Sequence, residues 1–306
     1  MTYLAAKHIV HPMKRITQLV TAGRVLVSDG AWGTYLQKNG LEPGTCPELW
    51  NIEHADVVQR IAESYVEAGA HMIETNSFGG TRFKLEHYGL AEKVIEINKA
   101  AAEISRRAIG DKGFVIASMG PTGKMLLMGD VTEQELEDAF AEQAVALEQG
   151  GADACCIETF AAIDEASLAI KAVKKNTDLE IICTFTFEKT LQGEYRTMMG
   201  TLPSEMAPAI IEAGADIIGT NCGNGSERMV EVVQQLRAAA PTTPILVHSN
   251  AGMPTNIDGK DVFPESATDT AGFVKALVDA GANIIGGCCG TTPEHIKAIR
   301  KVIDSL

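Results

Sequence analysis

The sequence predicts an α/β protein that folds as a (β/α)8 TIM barrel. One observation is a phrase that recurs four times, in which a helix ends at a glycine, a tight turn follows and a buried strand begins. The other is that four further strand-like runs lie between these copies, with helical patterns separating the strands. Eight such units fit 306 residues, whereas a doubly wound sheet more often has about five to seven strands.

The predicted elements follow one another along the chain in the order that a barrel requires. The recurring phrase covers residues 68–76, 150–159, 213–221 and 280–287, and the other four strands cover residues 25–28, 114–118, 181–187 and 245–248. Amphipathic spacing predicts helices at residues 57–68, 133–147, 165–173, 229–238 and 271–278. Residues 1–23 are predicted as a lead-in helix that covers one end of a single domain spanning residues 1–306.

Composition narrows the class of protein. The formal net charge is −14 and no long run of Lys and Arg occurs, which argues against a nucleic acid partner. No stretch approaches about 18 uninterrupted apolar residues and no signal-peptide pattern is present, so we expect a cytoplasmic protein without a membrane partner. Seven cysteines, an odd number, indicate reduced thiols rather than a secreted disulfide scaffold.

The chemistry of such a barrel is expected at the carboxyl ends of its strands. The residues there are acidic, amide-bearing or thiol-bearing, and they include Asp29, Asn76, Met119, Gly120, Glu158, Phe187, Glu188, Asn221, Cys222, Asn250, Cys288 and Cys289. No lysine stands at a strand end, which argues against a Schiff-base aldolase. No arginines cluster there to bind a phosphate or carboxylate group.

Three of these residues suggest a metal site. Cys222 follows the sixth predicted strand, and Cys288 and Cys289 follow the eighth. Because alternate strands of a barrel place inward-facing side chains in the same layer, the three thiols can converge. Three thiolates favour zinc with an open fourth position over magnesium or an iron–sulfur cluster. The alternatives are small buried side chains or a disulfide between the adjacent cysteines.

The remaining thiols are interpreted as structural. Cys155, Cys156 and Cys183 lie inside strand runs and are predicted to be core residues, and Cys46 lies in a loop without an identifiable partner.

Other polar and aromatic residues permit both structural and functional interpretations. Glu158, with Asp29, can hold a ligand ammonium group, or it can pair within the scaffold. Glu74 is equally compatible with either role. His248 lies inside a strand, where it can approach the barrel mouth, but it is interpreted first as a core histidine with satisfied hydrogen bonds. Trp32 and Trp50 flank the first loop, where they either line a pocket or seal the barrel.

Several segments together resemble the homocysteine S-methyltransferase family, and within it the homocysteine-binding barrel of cobalamin-dependent methionine synthases. The resemblance extends from about Val25 to Ile303. Its most specific part is the paired-cysteine segment combined with the distant Asn-Cys-Gly. The matching segments are DGAWGT at 29–34, ETNSFG at 74–79, SMGPTG at 118–123, IET at 157–159, NCG at 221–223, NAGMP at 250–254 and GGCCGTTP at 286–293.

The resemblance implies a zinc-dependent enzyme that methylates the thiol of homocysteine to give methionine. It implies that zinc is held by the three cysteines, with the homocysteine thiolate as fourth ligand, and it implies no catalytic residue beyond this activated thiolate. The implied substrate-binding residues are Asp29 and Glu158 for the amino group, and Gly30 and Ala31 for the carboxylate. Trp32 departs from the family pattern, which commonly has a smaller or more flexible side chain there.

The methyl donor implied by the resemblance is methylcobalamin or another methylcorrinoid. No cobalamin-type Asp-x-His-x-x-Gly segment occurs in the sequence, so the donor is expected on a separate corrinoid protein. One alternative is a small donor such as S-methylmethionine, or a different acceptor thiol. Another is a non-catalytic subunit that binds zinc and homocysteine. A third is a phosphate-binding barrel isomerase that uses the glycines near Gly286.

Overall fold

The fold was determined as a computed structural model, which describes residues 15–257 and 260–306. Eight parallel strands form one sheet in the order β1-β8-β7-β6-β5-β4-β3-β2, with helices around it, so the predicted (β/α)8 barrel is confirmed. The strands are β1 Leu26–Val27, β2 Met72–Glu74, β3 Phe114–Met119, β4 Ala154–Phe160, β5 Glu180–Phe185, β6 Ile217–Gly225, β7 Ile245–Asn250 and β8 Ile284–Gly287.

The barrel closes at the seam between β1 and β2, where side chains as well as backbone groups form the hydrogen bonds. Below β2, the His71 amide donates to the Val27 carbonyl at 2.8 Å, and His71 Nδ1 accepts from the Val27 amide at 2.9 Å. Above it, Asp29 Oδ2 accepts from the Glu74 amide at 2.8 Å. Because both strands are short, these side chains supply hydrogen bonds that a longer ladder would make through the backbone.

Twelve α-helices occur in the described part of the chain, and side chains cap several of them. Thr132 and Ser266 form capping boxes with acidic residues three positions later. The helices are α1 Ile16–Thr21, α2 Gly33–Lys38, α3 Trp50–Glu53, α4 Ala55–Glu67, α5 Arg82–Glu86, α6 Val94–Ile109, α7 Glu133–Gln149, α8 Ile163–Asn176, α9 Pro203–Ala213, α10 Ser226–Ala239, α11 Ala267–Ala280 and α12 Pro293–Ile303.

Short 3-10 helices and two hairpins complete the described elements. The 3-10 helices are Pro47–Leu49, Ala91–Lys93, Gly110–Lys112 and Leu126–Met128. One antiparallel hairpin pairs Glu188–Lys189 with Tyr195–Arg196 after β5, and the other pairs Thr255–Ile257 with Lys260–Val262 after β7. None of the described helices has the length and apolar content needed to cross a lipid bilayer.

The amino-terminal end of the barrel is filled by apolar side chains from all eight strands. Ile16 and Val20 of α1 pack against this cluster, which includes Leu26, Met72, Ile116, Ala154, Cys156, Ile182, Ile217, Leu246 and Ile284. The buried carboxylate of Glu180 accepts from the Ile16 and Thr17 amides and so satisfies the first turn of α1. The predicted lead-in helix up to residue 14 lies outside the described residues. With this end filled, access to the barrel interior is left at the carboxyl ends of the strands.

Candidate active site at the carboxyl end of the barrel

A cavity of about 250 Å³ opens at the carboxyl ends of the strands. Among the described residues that line it, acidic, hydroxyl, amide and thiol groups occur, but neither lysine nor arginine does. The lining residues are Gly30, Ala31, Trp32, Gly33, Thr34, Pro47, Glu48, Glu74, Thr75, Asn76, Ser77, Phe78, Ser118, Glu158, Thr159, Cys222, His248, Gly287, Cys288 and Cys289. The cavity therefore presents anionic and thiol groups without a basic side chain to balance them.

Three thiols meet in the wall of this cavity. Cys222 belongs to β6, and Cys288 and Cys289 directly follow β8. The three Sγ atoms all lie within 4.8 Å of one another, and those of Cys222 and Cys289 are 3.9 Å apart. Within the part of the chain that the structure describes, this is the one group of three His, Cys, Asp or Glu side chains close enough to share a metal ion. The predicted convergence of the thiols is thus observed.

An irregular backbone turns Cys222 toward the other two thiols. The pairing of β6 with β7 shifts register between Asn221 and Gly225, and Cys222 itself has φ of 58°. A left-handed conformation is uncommon for a residue with a side chain, and such residues concentrate at functional sites. On the other side, the Cys288 amide donates to the Ser249 carbonyl at 2.7 Å, which fixes the start of the cysteine pair against β7.

The three thiols share their negative charge unequally. Hydrogen bonds from Cys288 and Cys289 lower the pKa of the Cys222 thiol to about 3. The same contacts raise the pKa of Cys289 to about 12 and that of Cys288 well above its ordinary value. The three thiols are therefore coupled, and ionising all of them requires a strong electrostatic partner.

Thr291 connects the cysteine pair to the first loop of the barrel. Its hydroxyl donates to the Cys288 carbonyl at 2.7 Å and accepts from the Ala31 amide at 3.0 Å. Gly287 makes room for this contact, because a Cβ there would lie 2.3 Å from Thr291 Oγ1. The Gly290 amide adds a bond to Thr34 Oγ1 at 3.1 Å. The loops after β1 and β8 thus form one unit beside the thiols.

Glu158 lines the cavity and is only 6% exposed. One carboxylate oxygen accepts from the Ser118 hydroxyl, and the other accepts from Asn221 Nδ2 at 3.2 Å. Burial raises the pKa of Glu158 to about 7, although the Ser118 hydrogen bond opposes this shift. The carboxylate is fixed in place but costly to keep ionised without a cation beside it.

Asn221 joins the Glu158 carboxylate to the strand that carries Cys222. Besides its bond to Glu158, its Nδ2 donates to Thr159 Oγ1 at 2.7 Å. Its Oδ1 accepts from the Thr159 amide at 2.9 Å and from the Thr184 hydroxyl at 2.7 Å. Thr159 also has a left-handed backbone, with φ of 63°, so Asn221 holds an irregular part of β4 beside an irregular part of β6.

Asp29 lies beneath the cavity rather than in its lining. It is fully buried, and its Oδ2 accepts from Trp32 Nε1 at 2.9 Å and from the Glu74 amide at 2.8 Å. Burial raises the pKa of Asp29 to about 7. Gly30 and Ala31 both line the cavity, but the Ala31 amide is bonded within the protein, to Thr291. The roles predicted for Asp29, Gly30, Ala31 and Glu158 in substrate binding stay predictions.

Glu74 and His248 were not singled out as site residues from the sequence, but both line the cavity. His248 is 2% exposed, and its Nε2 has no hydrogen-bond partner among the described residues, so the interpretation as a satisfied core histidine is wrong. Burial lowers the pKa of His248 to about 4. A signal for Glu74 exists in the repeats, because the tripeptide Ile-Glu-Thr that contains Glu158 occurs also around Glu74.

The remaining candidates from the sequence are mostly structural. Cys155, Cys156 and Cys183 are completely buried, as predicted. Cys46 Sγ donates to Glu48 Oε2 at 3.3 Å, and burial raises the pKa of Cys46 to about 12. Trp32 lines the cavity, whereas Trp50 packs against His54 with ring centroids 4.5 Å apart.

Fold and site together define a (β/α)8 barrel with a three-thiol cluster and buried carboxylates at its open end. The family model of homocysteine S-methyltransferases matches residues 26–303, and the chain belongs to this family. It is 32% identical to the methionine synthase of Mycobacterium leprae over 305 residues, covering 92% of this chain and 24% of that protein. It is 31% identical to the methionine synthase of Mycobacterium tuberculosis, covering 94% of this chain and 25% of that protein. The chain thus spans about a quarter of the length of these relatives.

A solved structure shows the same fold. The metallated form of the homocysteine methyltransferase MmuM from Escherichia coli superposes with a TM-score of 0.74. The match covers 90% of this chain and 96% of that one, at 22% sequence identity. The oxidised form of the same protein gives a TM-score of 0.73.

Proposed function

We propose that this protein transfers a methyl group to the thiol of homocysteine to give methionine, with zinc held by Cys222, Cys288 and Cys289. The observation that carries the proposal is the three-thiol cluster in the wall of a small anionic cavity. Membership of the family and the likeness to two methionine synthases support the choice of homocysteine as acceptor.

The thiol cluster fits zinc. Two sulfurs bound to a tetrahedral zinc at about 2.3 Å lie about 3.8 Å apart, close to the 3.9 Å between the Cys222 and Cys289 sulfurs. Three protein ligands leave a fourth position for the substrate. When bound, zinc supplies a lowered pKa for a coordinated thiol. It also supplies the positive charge that the Cys288 and Cys289 thiols need in order to ionise.

The protein's own residues bind and orient the acceptor. The buried carboxylate of Glu158 attracts the ammonium group from within the cavity, and Asp29 adds negative charge beneath it. The Trp32 side chain, fixed by Asp29, shapes the cavity beside the first loop. In the transfer itself the sulfur–carbon bond forms while the bond between the methyl carbon and the donor breaks, and the electron pair of that bond stays with the donor. Positioning of the two reactants supplies much of the rate.

The proposed donor is a methylcorrinoid presented by a separate protein. A cavity of about 250 Å³ suits an amino-acid thiol but does not enclose a macrocycle, so such a donor has to approach from the rim. The loops after β3, β5 and β7 form a rim with large exposed apolar side chains, among which Leu127 is 85% and Met198 92% exposed. Its other members are Met125, Met128, Leu191, Met199, Met253, Ile257 and Val262. Exposed apolar side chains in the loops that follow the strand ends support the docking of another protein at this end of the barrel.

A donor screen on the zinc-loaded protein tests the proposal. Homocysteine is incubated with methylcobalamin, with a methylcorrinoid protein or with S-methylmethionine, and methionine is measured. We expect methionine from the corrinoid donors. If methionine formed only from S-methylmethionine, the proposed donor would be wrong, but homocysteine would remain the acceptor. Binding of homocysteine without turnover by any donor would favour a non-catalytic subunit, and absence of homocysteine binding would contradict the proposal.

A further inference from the structure

The methionines of the described part of the chain fall into an exposed group and a buried group. The exposed group lies entirely on the rim, in the loops that follow β3, β5 and β7, with exposed fractions between 41% and 92%. Its members are Met125, Met128, Met198, Met199 and Met253. The buried group lies in strands and helices, and its members, Met72, Met119, Met206 and Met229, have no accessible surface. The two groups are thus sharply separated in both position and exposure.

A tight turn after β5 carries the most exposed of these side chains. The Gly200 amide donates to the Thr197 carbonyl at 2.9 Å, so Met198 and Met199 are the two central residues of the turn. The Thr197 hydroxyl donates to the Ala161 carbonyl at 2.8 Å. The base of the turn is therefore fixed to the barrel, while its tip presents two thioethers to solvent.

A second turn, after β3, presents two more thioethers. The Met128 amide donates to the Met125 carbonyl at 3.1 Å, which closes the turn. Leu126, between them, packs against the hydrophobic core and fixes the turn to the protein. Both methionines nevertheless remain exposed. The exposure of the rim thioethers is therefore a property of two anchored turns.

An exposed thioether can be oxidised by hydrogen peroxide. The sulfur lone pair attacks one peroxide oxygen, a sulfur–oxygen bond forms and the oxygen–oxygen bond breaks. The attacked oxygen gives its proton to the departing hydroxide, which leaves as water, and the sulfur has lost two electrons. The product is methionine sulfoxide, whose side chain is polar and chiral. Because the peroxide has to reach the sulfur, we expect the rim methionines to react and the buried methionines to be spared.

Sulfoxides on the rim would change the surface without changing the cavity. A docked protein would have to remove water from each new polar oxygen, which costs free energy unless a hydrogen bond replaces that water. Among the described residues that line the cavity, none is a methionine. The groups around the acceptor therefore stay as they are when the rim is oxidised.

We propose that the five rim methionines are a site of reversible oxidation by hydrogen peroxide, and that their sulfoxides prevent a methylcorrinoid protein from docking while the acceptor cavity remains functional. The inference rests on the proposed function, because it takes the rim as the docking surface of the donor. Methionine sulfoxide reductases reverse the modification, since a dithiol takes up the oxygen as water and becomes a disulfide.

The test begins with peroxide treatment of the zinc-loaded protein, followed by a thiol reductant and fresh zinc. The reductant reverses disulfides between cysteines but leaves methionine sulfoxides in place. Peptide mass spectrometry should find sulfoxides on the rim and unmodified methionines in the core. The KM for the methylcorrinoid protein of the donor screen should rise about 10-fold or more, whereas turnover of free methylcobalamin should persist. Methionine sulfoxide reductases A and B should restore the KM.

Leucine and glutamine variants connect the effect to the rim. Leucine at all five rim positions conserves volume and apolar character, so the KM of this variant should be the same before and after peroxide. The matched control, Met206→Leu with Met229→Leu, removes two buried thioethers and should respond to peroxide as the wild type does. Met198→Gln with Met199→Gln imitates the polar product without any oxidant and should itself raise the KM.

Several outcomes would overturn the inference. Sulfoxides as frequent in the core as on the rim would contradict the selectivity. A constant KM in the wild type despite rim sulfoxides, or an equal rise in the leucine variant, would contradict the effect on docking. Irreversible damage to the thiols would lower turnover with both donors, and the glutamine variant then decides, because an unchanged KM in it contradicts the proposal.

One outcome concerns the proposed function instead. If the untreated wild type uses no methylcorrinoid protein, the proposed donor is wrong and the effect on docking is wrong with it. The map of sulfoxides does not depend on the donor, so it still shows whether the rim is the site of modification.

Discussion

The Sγ atoms of Cys222 and Cys289 lie 3.9 Å apart, although 67 positions separate them in the sequence. This proximity depends on the order of strands in the sheet, because β6 and β8 both pair with β7. The proposed metal site is therefore a property of the tertiary structure rather than of a local motif, and substitutions within it are expected to affect metal binding before they affect folding.

Substitution of Cys288 by alanine should remove zinc. Loss of an outer-shell partner typically costs about 10- to 100-fold in metal affinity, and loss of a ligand should cost more. Zinc per chain, measured by elemental analysis after dialysis, should fall from about one equivalent to near zero. Cys183→Ala is the control, since this buried core thiol is not one of the three clustered cysteines and its variant should keep the metal. Stoichiometric zinc in Cys288→Ala would contradict the assignment.

Substitution of Asn221 by alanine should weaken both zinc and homocysteine binding by about 10-fold or more. Asn221 bonds to Glu158 and Thr159 and immediately precedes Cys222, so its loss frees the carboxylate and the left-handed turn together. Competition with a chromogenic chelator gives the zinc affinity. Asn98→Ala removes an equally buried amide that bonds to the Gly80 and Val94 carbonyls, and it should lower stability by about 1–3 kcal/mol without changing zinc affinity. Equal zinc affinities in the two variants would exclude a role for Asn221 at the site.

Polar substitutions on the apolar rim should weaken methyl transfer from a protein-bound donor but not from a free one. Both Leu127 and Met198 are almost fully exposed, so Leu127→Ser with Met198→Ser should leave the thermal midpoint nearly unchanged. We expect the KM for a methylcorrinoid protein to rise about 10-fold or more, because exposed apolar anchors contribute strongly to docking. Turnover of free methylcobalamin should not change. Ile95→Ser, on the outer helix α6, is the matched control, and a similar rise in KM in this variant would refute docking at the rim.

The seam between β1 and β2 should weaken in mild acid. The pKa of His71 is lowered from 6.5 to about 4, chiefly by burial and then by the positive charge of Arg300. Because the folded state binds the proton more weakly than the unfolded state, this stabilising contribution is complete above pH 6.5 and is lost as the pH falls toward 4. Partial exposure limits the loss to about 1–2 kcal/mol.

Urea unfolding between pH 7 and pH 4.5 measures this loss. The buried carboxylates, whose pKa values are raised, act in the opposite direction, so wild type is compared with His71→Asn. Asparagine can accept from the Val27 amide in the place of Nδ1 but does not titrate. The pH-dependent loss should be smaller in the variant, and identical pH profiles would show that His71 does not control the seam.

The sequence contains enough to predict the barrel, because each strand is a buried apolar run and each helix has amphipathic spacing. It also contains enough to predict that Cys222, Cys288 and Cys289 meet, since strand order fixes which carboxyl ends are close. Glu158 and Cys222 were expected after their strands, but they lie within β4 and β6, where the register shifts. Such irregularities depend on side-chain hydrogen bonds between strands, and hydrophobic spacing does not record them.

Hydrogen-bond partners were also beyond prediction from the sequence. Asp29 accepts hydrogen bonds from Trp32 and from the Glu74 amide, whereas one oxygen of Glu74 is unpaired. Both features result from packing between residues that are far apart in the chain. The repeated tripeptide pointed to a shared position for Glu74 and Glu158 but not to their different surroundings.

The position of β8 between β1 and β7 has a consequence for biosynthesis. The strand that leaves the ribosome after the other seven must insert between the oldest strand and its immediate predecessor, and it brings two of the three sulfurs with it. Until then neither Cys288 nor Cys289 lies beside Cys222. A nascent chain is therefore expected to acquire its ion only after translation of the barrel is finished.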